Sequence, residues 1–173
     1  MNELATFRAQ KDRFFAEHPQ SPLTPEQQQM FAQGAPGLSY FPENPALRIE
    51  VTVEPFPEQR EVALPTSTGD VGIYRRYGRL TFTIDGNEAA LTMYANHHGY
   101  FLPFADALAG TETYGAGHYL DPEAIGDGRF LPDFNLAYNP YCAYNEQWSC
   151  PITPRENRLA VPIRAGERLF IHS

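Results

Sequence analysis

The stretch from Arg79 to Asn96, RLTFTIDGNEAALTMYAN, narrows the folds open to this chain more than any other. Leu80, Phe82 and Ile84 alternate with Arg79, Thr81 and Thr83; an Asp-Gly-Asn step follows, and Leu91 and Met93 alternate on the return. Successive side chains of a strand point to opposite faces, so this period of two buries one face and wets the other. Asp-Gly between two such runs fits a tight hairpin turn, whose central residues take positive φ. The chain must therefore build an antiparallel sheet.

Its neighbours extend that sheet. In LRIEVTVEP, Leu47, Ile49, Val51 and Val53 alternate with Arg48, Glu50, Thr52 and Glu54. REVALP offers Val62 and Leu64 on one face, and GYFLPF supplies a further short strand. Strands do not alternate with helices as a dinucleotide-binding fold requires. Antiparallel hairpins in series predict a mainly β protein, an antiparallel barrel-like or sandwich domain. We expect a single domain over 1–173, with a β-rich body over 45–173 behind a helical segment over 1–37. The length suffices for a core without disulfides or metals.

One or two helices are expected at the N-terminus. Leu4, Phe7, Lys11, Phe14 and Phe15 recur at helical spacing, and His18-Pro19 ends the run. In LTPEQQQMF, Thr24 is placed as N-cap, Pro25 as the first helical residue and Gln27 at the capping-box position, with Gly34 as terminator. From Ala105 onward Gly and Pro recur too often for long helices, which predicts a long irregular loop region. LAVPIRAGERLFIHS is expected to close the chain with one or two strands.

Charge limits the partners. The formal net charge is -8 and Lys11 is the only lysine, so phosphate neutralisation is disfavoured and no nucleic-acid partner is expected. Arg75, Arg76 and Arg79 come nearest to a basic patch, beside a turn. No apolar run approaches the ~18 residues that span a bilayer. The N-terminus lacks the apolar core of a signal peptide. No membrane association and a cytoplasmic location are the expectations, and a homodimer is left open.

The segment DFNLAYNPYCAYNEQWSCP gathers both cysteines, the only tryptophan, three tyrosines and three asparagines. Amides tie irregular backbone together or read a polar ligand, and rings stack against it; the segment suits a structural clamp or a pocket wall. Together with FLPFADALAGTETYGAGHYLDP and the following PITPRENRLAVPIRAGE, it resembles the DUF1684 family of bacterial and archaeal proteins of unknown function. The resemblance runs from about Leu38 to Arg168 and is densest from Phe101. It rests on the TYG-x-G-x-YLD and FN-x-AYNP-x-CAY-x5-CP-x2-P-x2-NRL patterns, which include Tyr114, Cys142, Cys150 and Asn157, and it also singles out Asp106. Ala105 and His118 stand where relatives often carry arginine, and Leu108 where they often carry threonine, which implies a different ligand preference here.

The leading functional expectation is a small-molecule pocket at a mouth built from residues 97–121 and 133–157. Tyr114, His118, Asn135, Tyr138, Asn139, Tyr144, Trp148 and Asn157 are its candidate ligand-binding residues. The alternative is a hydrolase-type enzyme using Asp106, His118 or Cys142, the last with His118 and Asp133 or Asn135 supplying the residue types of a nucleophilic site. A third reading makes the loops a clamp alone. C-x7-C lies outside zinc-knuckle spacing, so no metal and no cofactor are expected; a bridge or a close thiol pair is. In a strand His97 and His98 should face opposite sides, one inward and one to water, which is the expectation, although a turn would change that.

Overall fold

The computed structural model describes residues 2–34 and 37–170. Helix α1, Glu3–Glu17, starts where the Asn2 side chain accepts the Ala5 N–H at 2.8 Å, and it stops at His18, ahead of Pro19. Helix α2, Pro25–Ala32, has the full capping box: Thr24 accepts from the Gln27 N–H while the Gln27 amide accepts from the Thr24 N–H. Both starts were written locally, in the polar residue before each apolar run.

Among the described residues nine strands follow in chain order: β1 Val51–Thr52, β2 Glu54–Pro55, β3 Glu61–Pro65, β4 Val71–Ile84, β5 Asn87–Asn96, β6 Gly99–Phe104, β7 His118–Leu120, β8 Glu123–Gly126 and β9 Arg129–Leu131. The hairpin expected from the alternation is β4–β5, with Ile84 opposite Asn87. Asp85 and Gly86 fill its turn at φ of 50° and 80°, the positive-φ pair that such a turn demands. β4 is the spine of the larger sheet. Its first half pairs with β3, its second half with β2, and its other edge with β5, after which β6 and β7 follow. A smaller sheet runs β1-β9-β8. Between β1 and β2 the chain passes from one sheet to the other through Val53, whose N–H reaches Gly128 O at 2.9 Å.

The alternating faces meet as read. Leu80, Phe82 and Ile84 of β4 pack with Leu91 and Met93 of β5, Leu102 and Phe104 of β6, and Val51, Val53 and Phe130 from the small sheet's side. Burying each such side chain stabilises the fold by about 1.5–3 kcal/mol relative to exposure. A second cluster joins Phe15, Leu23, Leu38 and Tyr144, docking the helices onto the late loop region.

Two expectations need correction, and a third holds in its coarser form: the protein is mainly β with antiparallel sheets behind two helices, but the sheets do not close into a barrel. Closure needs tilted, staggered strands along every edge; β7 stops after three residues, before Asp121-Pro122, and its outer edge meets only a bridge from Tyr119 to Tyr138. The chain end is not a strand over 159–170: Glu167 bridges to Tyr40, and Pro162 and Gly166 interrupt the ladder. Residues 171–173 lie outside the described residues. His97 and His98 do not divide between core and water; both are exposed in the β5–β6 turn, their rings 3.9 Å apart. Among the described residues no helix is long and apolar enough to cross a membrane.

Candidate ligand cleft

The asparagines come first, because they shape the loops. Asn157 is wholly buried and all its amide bonds go to main chain: it accepts the Thr92 N–H at 2.8 Å and donates to Thr92 O at 2.8 Å and Pro103 O at 2.7 Å. That ties β5 to the end of β6. Asn135 accepts the Asn44 N–H and donates to Asn44 O, both at 2.9 Å, and also to Asp133. Asn139 donates to Arg168 O at 3.1 Å. For Asn135 and Asn157 the geometry is that of a clamp.

The segment 138–151 stands opposite α1, and a cleft of about 670 Å³ opens between them. Phe7, Phe14 and Phe15 form the helical wall; Tyr138, Tyr141 and Pro151 stand across from them, with Tyr119 and Cys150 deeper in the same wall. Lys11 lies between the walls, its ammonium 5.5 Å from the Phe15 ring centre and 5.4 Å from that of Tyr138. It pairs with Glu167, and the Tyr144 hydroxyl donates to the other carboxylate oxygen. The Glu167 side chain is 2% exposed and that of Lys11 16%, so the acid sits behind the base and the base reaches the cleft. Burial raises the pKa of Tyr144 and Tyr138, next to Glu167 and Asp121 respectively, so both keep their protons. The Tyr138 hydroxyl spends its own on Asp121, at 2.8 Å, leaving its ring toward the cleft.

Of the eight ligand-binding candidates, Tyr138 alone lines this cleft. Tyr144 stands behind it, holding Glu167. Trp148 sits at its margin, its ring centre 5.2 Å from that of Tyr141 and its indole N–H bonded to Pro22 O at 3.0 Å. Tyr114, His118, Asn135, Asn139 and Asn157 lie elsewhere. The helical wall was not foreseen, although one signal was present: a lysine in an otherwise apolar helical stripe.

The three catalytic candidates do not converge. Asp106 is buried and its oxygens are taken by the Thr113 hydroxyl at 2.9 Å and the Ile163 N–H at 2.7 Å; it ties a turn rather than projecting from β6. His118 faces the core beside Phe104, while its strand neighbour Tyr119 packs on the other side with Cys142 and Cys150. Among the described residues no Cys-His pairing forms, because successive residues of β7 take opposite faces. Asp133 caps the turn at Asn135. Among the described residues, no group of three His, Cys, Asp or Glu is placed to hold a metal ion.

His118 carries a pH prediction. Burial lowers its pKa below 6.5, opposed by Asp106 and by a hydrogen bond with the Glu167 main chain, with Lys11 acting in the same sense as burial. Its Nε2 has no partner among the described residues. The unfolded chain therefore binds a proton near pH 6.5 that the folded chain refuses, so stability falls as pH drops from 6.5 toward the lowered folded value. Denaturant titrations at stepped pH should show this slope, and His118→Gln should flatten it whatever its absolute stability.

Cys142 and Cys150 are free thiols placed together. The Cys142 N–H donates to Cys150 Sγ at 3.3 Å, and the Tyr114 hydroxyl lies 3.7 Å from Cys142 Sγ. The Cys142 thiol is pulled down to about 6, first by the hydrogen bond from the Cys150 thiol and then by the Tyr114 hydroxyl, against the effect of burial. The same shared proton, with burial, pushes the Cys150 thiol up.

These features define a class: an open, two-sheet antiparallel β protein whose irregular last third closes a cleft against an N-terminal helix. The family described as "Protein of unknown function (DUF1684)" matches residues 34–168, and the chain belongs to that family. It is similar to an uncharacterized protein of Haloarcula marismortui solved by solution NMR, with 39% identity, a TM-score of 0.70, and coverage of 96% of this chain and 92% of that one. No curated protein matches the chain.

Proposed function

We propose that the cleft between α1 and residues 138–151 binds a flat, largely apolar small molecule that presents one hydrogen-bond acceptor, a carboxylate or a carbonyl, to Lys11. The supporting observation is the sole lysine of the chain placed between aromatic walls, with its counter-ion buried behind it. An ammonium has three donors. Glu167 takes one, the Phe15 and Tyr138 rings sit near its flank, and the remaining capacity faces the cleft. A volume of about 670 Å³ is in the range of small-molecule sites, and the phenyl, phenol and proline surfaces suit a planar body. The net charge of -8 repels anions at long range, but screening confines that effect to about 10 Å, so recognition is local.

The test is a thermal-shift series with one aromatic body carried as its carboxylate, its amide and its amine. The acid and amide should raise the melting temperature and the amine should not; a ligand at about 100 times its Kd stabilises by about 2.7 kcal/mol. Trp148 emission should change with binding, because Tyr141 joins that ring to the cleft wall. The double variant Lys11→Met/Glu167→Leu, which leaves no unpaired charge, should lose the gain. An amine that binds as well as its acid, or a gain that survives the double variant, refutes the reading.

A further inference from the structure

The late segment holds a second reactive feature that the cleft ligand does not use. Cys150 forms part of the cleft wall beside Ser149 and Pro151. Cys142 lies against it, held by its own N–H on Cys150 Sγ at 3.3 Å. Both residues are buried, at 8% and 7% exposure, and of the two Cys150 lines the cleft. Two hydroxyls flank the pair. Tyr114 faces Cys142 Sγ, and Ser67 both accepts the Cys150 N–H at 3.1 Å and donates to Trp148 O at 2.9 Å, pinning the loop between the cysteines.

We propose that Cys142 and Cys150 are a redox-active dithiol, closed to an intramolecular disulfide by low-molecular-weight disulfides. Cys142 acts first, as the thiolate, the reactive form in exchange. Its Sγ attacks one sulfur of RS–SR; that S–S bond breaks, RS⁻ leaves and takes up a proton, and a Cys142–SR mixed disulfide forms. Cys150 then gives up its proton and attacks Cys142 Sγ, expelling the second RS⁻, which is protonated in turn. Two protein thiols are oxidised and one RS–SR becomes two RSH. The low pKa of Cys142 and the hydrogen bond from Cys150 are the electrostatic counterpart of this order. The chemistry is independent of the ligand assigned to the cleft, since no such ligand takes part in the test.

The experiment incubates the native protein with defined ratios of oxidised to reduced glutathione, quenches with acid and reads intact mass, with Trp148 emission followed in parallel. The expected product is lighter by two hydrogens, carries no glutathione, shows altered emission and reverts with excess reduced glutathione. Cys150→Ser should retain one glutathione on Cys142, and Cys142→Ser should lose the rapid reaction. Persistent glutathione on the wild-type protein without a crosslink overturns the proposal, as do thiols that react only after denaturation. Should either variant fail to fold, the wild-type mass decides alone.

Discussion

Replacing Lys11 with methionine should lower the unfolding free energy by about 3–5 kcal/mol, because it strands a carboxylate in the interior. Glu167 is 1% exposed and depends on two groups, the Lys11 ammonium and the Tyr144 hydroxyl. Without the ammonium one donor remains for a full negative charge. For a chain of this size the loss corresponds to a fall on the order of 10 °C in Tm. Glu167→Gln should cost less: the Lys11 side chain, already 16% exposed, meets cleft water, and the amide oxygen still accepts from its neighbours. Lys11→Met/Glu167→Leu should recover most of the deficit, since a desolvated pair contributes little against an apolar replacement of similar size. Guanidinium titrations of the four proteins give the comparison; a single Lys11→Met as stable as the parent would mean that Glu167 does not depend on this pair.

Asn157→Ala should be nearly as damaging, by about 3–5 kcal/mol. The side chain is fully buried and satisfies one main-chain N–H and two carbonyls, each at 2.7 or 2.8 Å. A buried donor or acceptor left without a partner costs about 1–3 kcal/mol. Deleting this amide orphans three at once, between β5 and the end of β6. Asn157→Asp tests the cause rather than the size. It keeps the volume and the acceptor but removes both N–H donors and aims a carboxylate at two carbonyl oxygens, so it should be no better than alanine. Asn135→Ala makes a milder comparison, because its bonds to Asn44 are only partly buried and water can replace them. Equal stability of Asn157→Ala and the parent protein would remove the clamp from the description.

What could be read from the residues was local. The β4–β5 hairpin follows from a period of two and an Asp-Gly turn, and α2 from Thr24, Pro25 and Gln27 within one helical turn. Closure was not legible, because it depends on whether the first and last strands meet, and no short window contains both. The expected final strand fails on a local detail: Pro162 has no N–H to offer a ladder. His97 and His98 were read with strand alternation, yet they are the turn itself. Within the site, the segment around Tyr138 was marked by its composition, and it does form a cleft wall. Its partner wall was not, because Lys11 and Glu167 are 156 residues apart and nothing in either neighbourhood names the other. A charge inside an apolar stripe needs a buried partner, and that rule would have flagged Lys11 without saying where to look.

Because the chain has one lysine, lysine-selective isotope labelling gives a single side-chain NMR signal, located at the cleft. Titrating the aromatic carboxylate found in the thermal-shift series should move that signal saturably, with the midpoint of the thermal stabilisation. A signal that stays in place while the same molecule binds and stabilises the protein would put the ligand elsewhere and contradict the cleft.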